Sequence, residues 1–352
     1  MALSKKDLIA LGKKVASANP SVATAFAYNG ENFSYEQLND TFRDELLEIS
    51  STYALFRENK NTIFSLMEEI IDDVLPKKVL EAYGQFAEVK TFKQGDKPVF
   101  VQRITSAAKR RGKQFVTKVG LAGIYEVFKL DGKTLEVPTE AFGGAAQIGF
   151  EEFLDGRVNM ADVLDIIMEG LDESVYREIA KALKKAYTSL QTANKYSFKG
   201  FNEDVMDRLL ATADSYGQST IYCTFEFAST MIPNEGWISD AMKDQRWNTG
   251  YLGNYKGHKV IILPQSFEDE TNTTKVIDPA YAYIIPTGAN KPVKVAFEGQ
   301  TIVRDIDNAD MSKEVQVYKK FGVATLITNN ICIYENSDLK IEHKINPNLD
   351  GK

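Results

Sequence analysis

The chain has 352 residues, 43% of them apolar and 26% charged, which is enough material for a sizeable core and excludes a disordered tail. The length fits two or three domains, or one elongated subunit of several parts. The formal net charge is −7, from 49 acidic and 42 basic residues, which argues against a dedicated nucleic-acid binder because such proteins neutralise phosphates with a surplus of Lys and Arg. An acidic wall can still enclose DNA.

Neither export nor membrane insertion is expected from the pattern. Charges at Lys5, Lys6 and Asp7 interrupt the N-terminal apolar residues. No uncharged apolar run approaches the about 20 residues that a membrane helix needs. The two cysteines, Cys223 and Cys332, lie in separate apolar runs and form no CxxC pair, so we expect reduced core thiols in a reducing cytoplasm.

Residues 1 to about 85 have a mostly helical pattern. Apolar side chains recur at helical spacing over Tyr35–Ile49, which Ser34 can cap, and again over Asn61–Val74. Polar, irregular connections separate the two runs. The segment is therefore predicted to be either a small helical domain or an extended arm that contains helices.

Residues 86 to about 149 change to a strand pattern with many turn signals. Gln94-Gly95-Asp96 is one turn, and Asp131-Gly132 between the runs 124–130 and 133–137 is a strong hairpin signal. The segment is long and has no core of its own, so we expect a β-arm that lies on another surface. Its basic stretch is predicted to contact an acidic neighbour in preference to nucleic acid, because no aromatic residues are interleaved. The basic residues are Lys109, Arg110, Arg111 and Lys113.

Residues 157 to about 190 give the clearest signal in the chain. Apolar residues repeat every three or four positions and predict one helix with a single apolar stripe. The stripe consists of Met160, Leu164, Ile167, Leu171, Val175, Ile179, Leu183 and Tyr187. At 1.5 Å per residue the helix would be roughly 45 Å long. Gly170 lies in its middle, where a bend is possible.

Residues 201 to about 290 alternate between helix and strand, which indicates an α+β region. Asn202 is predicted to cap a helix, and Gly217 to end the stretch that follows it. Thr220–Phe225 and Lys259–Leu263 are predicted to be buried strands.

Residues 291 to 335 are predicted to be short strands again, followed by a polar tail at 336–352. The strands are Val293–Phe297, Gln300–Arg304, Val315–Tyr318, Val323–Ile327 and Ile331–Tyr334. Turns are expected at Glu298-Gly299 and at Phe321-Gly322, because glycine commonly marks a turn between two apolar runs.

The sequence offers no clear catalytic, metal or cofactor site. It has two histidines, His258 and His343, and no GxSxG elbow, so Ser–His or Cys–His catalysis is not expected. His258 is assigned a surface or turn role. Gly132-Lys133-Thr134 ends like a phosphate-binding loop, but Val127 stands where that loop needs glycine.

A cluster of aspartates at Asp305, Asp307 and Asp310 resembles the start of a calcium loop. Asp310 stands where that loop has glycine, and Gln316 where it has glutamate, so the cluster is interpreted as a solvated acidic turn. A carboxylate- and metal-dependent enzyme that uses Asp305 and Asp307 is kept as an alternative, and it predicts a small oligomer with a bound divalent ion.

The order of these segments resembles the tailed-phage major capsid protein family, whose members have the Johnson fold. In that family an N-terminal arm, an extended β-hairpin loop, a long spine helix, an apical domain and peripheral strands follow one another. The run Gly253–Ile261, with two spaced glycines before a valine-rich strand, is similar to the family's strand-turn-strand. The run Val315–Ala324 is similar to its final hairpin.

The resemblance implies an α+β fold divided into six parts. They are an arm at 1–85, a β-loop at 86–149, a peripheral domain with the spine helix at 150–200, an apical domain at 201–290, peripheral strands at 291–335 and a tail at 336–352. It also implies a shell subunit without enzymatic activity or cofactor, which forms hexamers and pentamers of an icosahedral virion around double-stranded DNA. Scaffold, portal and decoration proteins are implied partners, and the host cytoplasm the place of assembly.

Inter-subunit contacts are expected between the basic stretch and an acidic surface of a neighbour. Two acidic sets are candidates: Glu68, Glu69, Asp72 and Asp73, or Glu151, Glu152 and Asp155. Two other readings stay open beside the metal-dependent enzyme. One is an encapsulin, which has the same fold and encloses an enzyme, and the other is an adhesin or tail component that forms trimers or tubes.

Overall fold

The computed structural model describes residues 5–17, 26–28, 31–102, 133–148, 160–232, 239–267, 271–286, 291–307, 313–326 and 330–340. The helices in these ranges are α1 (Lys5–Ser17), α2 (Tyr35–Ser50), α3 (Tyr53–Tyr83), α4 (Met160–Ser189), α5 (Glu203–Asp214), α6 (Phe225–Thr230) and α7 (Asp240–Thr249). The strands are β1 (Phe26–Tyr28), β2 (Glu31–Phe33), β3 (Ala87–Phe92), β4 (Val99–Gln102), β5 (Lys133–Glu136), β6 (Glu140–Ile148), β7 (Lys195–Phe198), β8 (Ser219–Cys223), β9 (Asn254–Tyr255), β10 (His258–Ile262), β11 (Tyr281–Pro286), β12 (Val293–Asp307), β13 (Lys313–Thr325) and β14 (Cys332–Asn336).

The chain divides into two compact units, each assembled from three stretches of sequence. Unit 1 contains Met1–Pro98, Glu136–Glu178 and Lys294–Val323, and unit 2 contains Val99–Leu135, Ile179–Val293 and Ala324–Lys352. The finer six-part division stays a prediction. None of the helices in the described ranges is long and apolar enough to cross a membrane.

Three helices of unit 1 pack on one another through apolar faces. α1, α2 and α3 are in mutual contact, and Leu11, Leu38 and Ile70 are almost completely buried between them. Ser34 begins α2 as predicted: its hydroxyl accepts the N–H of Gln37, and the Gln37 side chain accepts the N–H of Ser34. Of the two arrangements that the sequence leaves open for residues 1–85, these contacts favour a helical domain.

Helix α3 is longer than the run at 61–74 that predicted it. It spans 31 residues from Tyr53 to Tyr83, and Thr52 caps its start. Pro76 lies inside the helix and has no N–H, so the carbonyl of Asp72 lacks its usual donor four residues later. The periodic run identified only the most regular part of this helix.

The sheet of unit 1 has four strands in the order β3-β12-β13-β6. β13 and β6 are antiparallel, with Val317 opposite Gly144. From residue 301 onward the side chains of β12 alternate, so that Val303 is buried and Ile302 is exposed, and β13 alternates in the same way, with Val317 buried and Tyr318 exposed. In this part of the sheet, one face is therefore covered and the other is open.

The two turns predicted in this sheet are wrong. β12 continues through Glu298-Gly299, and β13 continues through Phe321-Gly322. Both glycines allow a close approach of neighbouring chain instead. A Cβ on Gly299, which has φ +68°, would lie 3.3 Å from the Cβ of Gln94, and a Cβ on Gly322 would lie 2.0 Å from the carbonyl oxygen of Pro138.

The sheet of unit 2 has six strands in the order β7-β14-β11-β8-β10-β9. β8 is parallel to β10 and antiparallel to β11, which in turn is antiparallel to β14. Every residue of β8, β11 and β14 is buried, as continuous apolar runs predict. Leu209 of α5, Ile221 of β8 and Ile284 of β11 belong to one apolar core.

The predicted strand at 220–225 needs a correction at its end. β8 ends at Cys223, and the Thr224 hydroxyl accepts the N–H of Phe227 to begin α6. The predicted strand at 259–263 is β10, shifted by one residue. The Asn202 cap is confirmed, since its side chain accepts the N–H of Val205 at 3.2 Å.

The long helix predicted at 157–190 is confirmed as α4, which extends over 30 residues. Its predicted apolar stripe is buried at Leu164, Ile167, Leu171, Val175, Ile179 and Leu183. Gly170 does not interrupt the helix. The helix is continuous because the strong apolar period outweighs the cost of one glycine, about 1 kcal/mol.

Part of the predicted β-arm is described. The turn at 94–96 is confirmed: Gly95 has φ +84°, and the N–H of Asp96 donates to the carbonyl of Lys93 at 3.1 Å. β4 pairs with β5 in a two-stranded sheet. The predicted turn at Asp131-Gly132 lies outside the described residues.

Candidate inter-subunit surfaces

Two of the predicted acidic contact residues are used within the chain. The Glu68 carboxylate accepts the N–H of Val303 at 2.8 Å. The Asp72 carboxylate accepts both the N–H and the hydroxyl of Thr301, at 2.9 and 2.5 Å, and the ammonium of Lys319 at 2.5 Å. The Lys319 side chain is 1% exposed, so this ion pair attaches α3 to the covered face of the sheet.

The other two residues of that set face solvent. Glu69 is exposed. Asp73 is half exposed and pairs with Lys13 of α1. Because an exposed pair contributes little to stability, Glu69 and Asp73 are the members of the set that can meet another molecule.

The remaining predicted contact residues cannot be placed by the structure. The basic set and the second acidic set lie outside the described residues. They are Lys109, Arg110, Arg111 and Lys113, and Glu151, Glu152 and Asp155. Their contact with one another or with a neighbour stays a prediction.

The open face of the unit 1 sheet carries a cleft of about 610 Å³. It is lined by Gln94, Gly143, Gly144, Ala145, Ile302, Arg304, Gln316, Val317 and Tyr318. Ile302 and Tyr318 are 47% and 36% exposed. Gly143 and Gly144 of β6 have no side chains to fill the cleft. Such a concave, partly apolar surface can bury side chains of another chain. The signal for it was the alternation in β12 and β13, which the predicted turns concealed.

A second exposed apolar site lies in unit 2, on α7. Trp247 is 90% exposed, and no residue of this helix is buried. Ile232, Met242 and Arg246 line an adjacent cleft of about 500 Å³. The sequence signal for this site is a tryptophan in a charged helix without an apolar stripe.

Ser219, His258 and Asp214 lie together in unit 2, an arrangement that their spacing in the sequence does not indicate. The Ser219 hydroxyl donates to Asp214 at 2.6 Å and is 3.2 Å from Nδ1 of His258, whose Nε2 is 3.4 Å from Asp214. Serine and histidine both face the one carboxylate, and Ser219 is 1% exposed, so no substrate reaches the hydroxyl. These contacts join the end of α5 to β8 and β10, next to the turn that precedes His258.

Glu335 forms a second buried polar cluster in unit 2. Its carboxylate accepts the hydroxyls of Tyr187 and Tyr281 at 2.8 and 3.1 Å, and Lys340 lies 2.6 Å away. Burial alone would raise the pKa of Glu335, but the hydrogen bonds, led by that from Lys340, outweigh it and lower this pKa. The cluster attaches the end of β14 to α4 and β11, and all its polar atoms serve that attachment.

Both cysteines are buried and neither forms a disulfide, as predicted for core thiols. Burial raises the pKa of Cys223 and that of Cys332 to about 12, so both thiols are protonated at neutral pH. These residues supply neither a nucleophile nor a metal ligand.

The predicted acidic turn at 305–310 is wrong for Asp305 and Asp307, which both lie in β12. Asp305 lies in β12 with a side chain that is 9% exposed, and it pairs with Lys60 at 2.6 Å. Asp307 ends the same strand, and Asp310 lies outside the described residues. In the part of the chain that the structure describes, no three His, Cys, Asp or Glu side chains are placed to hold a metal ion.

Comparison with known proteins gives a family and a fold. The family model described as "SPbeta prophage-derived putative capsid protein YonB" matches residues 21–335. The mature capsid of bacteriophage PhiM1 is similar in structure, with a TM-score of 0.50 and 7% identity over 73% of this chain and 87% of that chain. This likeness, together with the family match, confirms the tailed-phage capsid fold that the order of segments predicted.

Two other solved structures are similar at lower scores. The head of Helicobacter pylori bacteriophage KHP40 has a TM-score of 0.46 and 12% identity over 72% of this chain and 90% of that chain. The holo-SrpI encapsulin complex from Synechococcus elongatus has a TM-score of 0.44 and 11% identity over 72% of this chain and 87% of that chain. No curated protein matches the chain in sequence.

Proposed function

The chain belongs to the YonB family of prophage-derived capsid proteins, and from this premise we propose that it is the major capsid protein of a tailed double-stranded DNA phage. The family and the fold are those of structural shell proteins. In the proposal, the subunits form hexamers and pentamers, and these close into an icosahedral virion shell that holds the genome without sequence-specific contacts. Assembly takes place in the host cytoplasm with scaffold, portal and decoration proteins.

The observation that carries the proposal is the open face of the unit 1 sheet. Ile302, Ile306 and Tyr318 are each more than a third exposed on strands whose opposite face is covered by α3. An isolated protein gains nothing from apolar side chains in water, whereas a shell subunit buries them against the next copy. Contacts around a ring join one patch to a different patch, so this face needs no matching face on the neighbour.

In the proposal, electrostatic contacts orient adjacent subunits relative to one another. The basic stretch Lys109, Arg110, Arg111 and Lys113 contacts an acidic surface of the adjacent subunit. Of the α3 carboxylates, the solvent-facing Glu69 and Asp73 are available to it, while Glu68 and Asp72 hold the sheet. Residues Glu151, Glu152 and Asp155 are the second acceptor set.

The purified protein tests the proposal directly. We expect size-exclusion chromatography to show a species of megadalton size, and negative-stain microscopy to show closed particles of uniform diameter. A protein that stays monomeric at high concentration would contradict the proposal. A small oligomer with a stoichiometric divalent ion would instead support the metal-dependent enzyme.

Particle contents separate the phage shell from an encapsulin. Particles isolated from cells that produce the complete phage are expected to contain nuclease-resistant double-stranded DNA. Particles that contain a single protein species and no DNA would identify an encapsulin. The basic contact is tested by reversing its four charges, which should abolish particles, and by reversing Glu69 and Asp73 in the same chain, which should restore them if these two residues are the acceptor.

A further inference from the structure

The middle of the predicted β-loop at 86–149, residues 99–135, does not belong to unit 1. Unit 1 ends at Pro98 before these residues and resumes at Glu136 after them. There the N–H of Val137 donates to the carbonyl of Pro98 at 2.9 Å, and Lys97 lies 3.8 Å from Glu136 on the surface. We call residues 94–98 and 136–139 the loop root.

One buried carboxylate contacts both halves of the loop root. Glu298 of β12 is 8% exposed. Its Oε1 accepts the N–H of Gly95 at 3.1 Å, and its Oε2 accepts the hydroxyl of Thr139. Gly95 precedes residues 99–135 and Thr139 follows them, so a single side chain joins residues that are 44 positions apart. These hydrogen bonds, that from Thr139 first, lower the pKa of Glu298, which is therefore charged at neutral pH.

The backbone around Glu298 is shaped to receive the loop root. Gly299, the next residue, has φ +68° and allows Gln94 to approach, and Gly322 of β13 allows the carbonyl of Pro138 to approach. A side chain at position 322 would collide with the backbone of Pro138, and one at position 299 would strain a left-handed backbone and crowd Gln94. The two glycines and Glu298 thus act on both halves of the root.

A buried carboxylate is a costly way to fill this position. An apolar side chain of similar size would leave the N–H of Gly95 and the hydroxyl of Thr139 without this acceptor, so we expect the carboxylate to contribute specificity. The specificity is for one spacing of the two strands, because the two oxygens of a carboxylate are fixed relative to each other.

We propose that Glu298 is a positioning residue that holds the two halves of the loop root together and thereby fixes their spacing before assembly. The consequence for assembly rests on the proposed function: a root whose two halves are already held together loses less conformational entropy on assembly.

Amide hydrogen exchange on unassembled subunits tests the positioning role. In Glu298→Ala, exchange at Gly95 and Val137 is expected to be about tenfold faster than in the natural sequence, because both bonds to the root are lost. Thr139→Val removes one bond and should give a smaller increase, while Thr139→Ser keeps the hydroxyl and should exchange at the natural rate. The matched control is Val303→Ala, which weakens the same strand away from the root.

The hydrogen-exchange results can be interpreted whether or not the proposed function is correct. Faster exchange at the root in Glu298→Ala and Thr139→Val, but not in Val303→Ala, supports the proposal. Equal root exchange in all variants, or an equal increase in Val303→Ala, overturns it. Where the natural sequence forms shells, Thr139→Val should lower their yield more than Thr139→Ser does. A natural sequence that forms no shells contradicts the capsid function and leaves the exchange result to decide the role of Glu298.

Discussion

The two sheets of the molecule differ in how they are covered. In unit 2, the adjacent strands β14, β11 and β8 are buried at every residue, so both faces of this part of the sheet are covered. In unit 1, the second half of β12 and most of β13 alternate between buried and exposed residues, and the face that carries Ile302 and Tyr318 is open. These three strands of unit 2 therefore present no open face, whereas unit 1 retains on its sheet a surface that our proposal assigns to neighbouring subunits.

The two sheets also differ in what attaches helices to them. The unit 2 core is apolar, with Leu209, Ile221 and Ile284 in one cluster. In unit 1, α3 is attached to the sheet by carboxylates, Glu68 and Asp72, and by the buried ammonium of Lys319. Apolar burial is insensitive to direction, while hydrogen-bonded charges fix the register of helix and strand. Unit 1 combines a fixed register on one face with an open opposite face.

The largest expected effect tests the polar attachment of unit 1. Asp72→Ala leaves the ammonium of Lys319 buried without its counter-charge, which should lower the free energy of unfolding by about 3–5 kcal/mol. Asp73→Ala, one residue later, removes only an exposed pair with Lys13 and should cost about 0–1 kcal/mol. Urea denaturation measures both. Equal costs for the two variants would show that the attachment is not made by Asp72.

The next effect tests the complete burial of strands β8, β11 and β14 in the unit 2 sheet. Ile284 and Tyr283 are consecutive residues of β11, and their side chains point to opposite faces. Because both are at most 2% exposed, Ile284→Ala and Tyr283→Ala should each lower the free energy of unfolding by about 2–5 kcal/mol. A tolerated substitution at either position would mean that one face of this sheet is open as well.

The smallest effect on folding is expected at the open face of unit 1. Ile302→Ala should change the free energy of unfolding by no more than about 0.5 kcal/mol, because the side chain already lies half in water. Its yield of closed particles should fall, since the contact is made only on assembly. Val303→Ala, on the covered face, should show the reverse pattern. Particle yield that is unaffected by Ile302→Ala would remove this face from the interface.

Sequence reasoning succeeded where a strong period decides the structure. The stripe of α4 and the apolar run of β14 each point to one arrangement, and local caps such as Ser34 and Asn202 are set by neighbours in sequence. It failed at Glu298-Gly299, where a glycine that resembles a turn serves a close contact with Gln94, more than 200 positions away. No local pattern reports such a contact.

The candidate contact residues show the same limit. One acidic run in the sequence contains Glu68, Glu69, Asp72 and Asp73. In the structure, Glu68 and Asp72 bond to the sheet, whereas Glu69 and Asp73 face solvent. Helical spacing places Glu68 and Asp72 on one face, four residues apart, and that face meets the sheet. The spacing was visible in the sequence, but the partner strand was not, so the sequence could not separate structural from solvent-facing carboxylates.

Pro76 divides α3 into two parts that are held in place by different interactions. The proline removes the backbone bond to the carbonyl of Asp72, the residue whose side chain attaches the helix to the sheet. The part of α3 after Pro76 is held by apolar packing, since Val79 and Tyr83 are buried, while the turns before Pro76 are also attached to Thr301 and Lys319. Substitutions that remove the packing of Val79 or Tyr83 are therefore expected to loosen the end of α3 before the part that the Asp72 carboxylate attaches to the sheet.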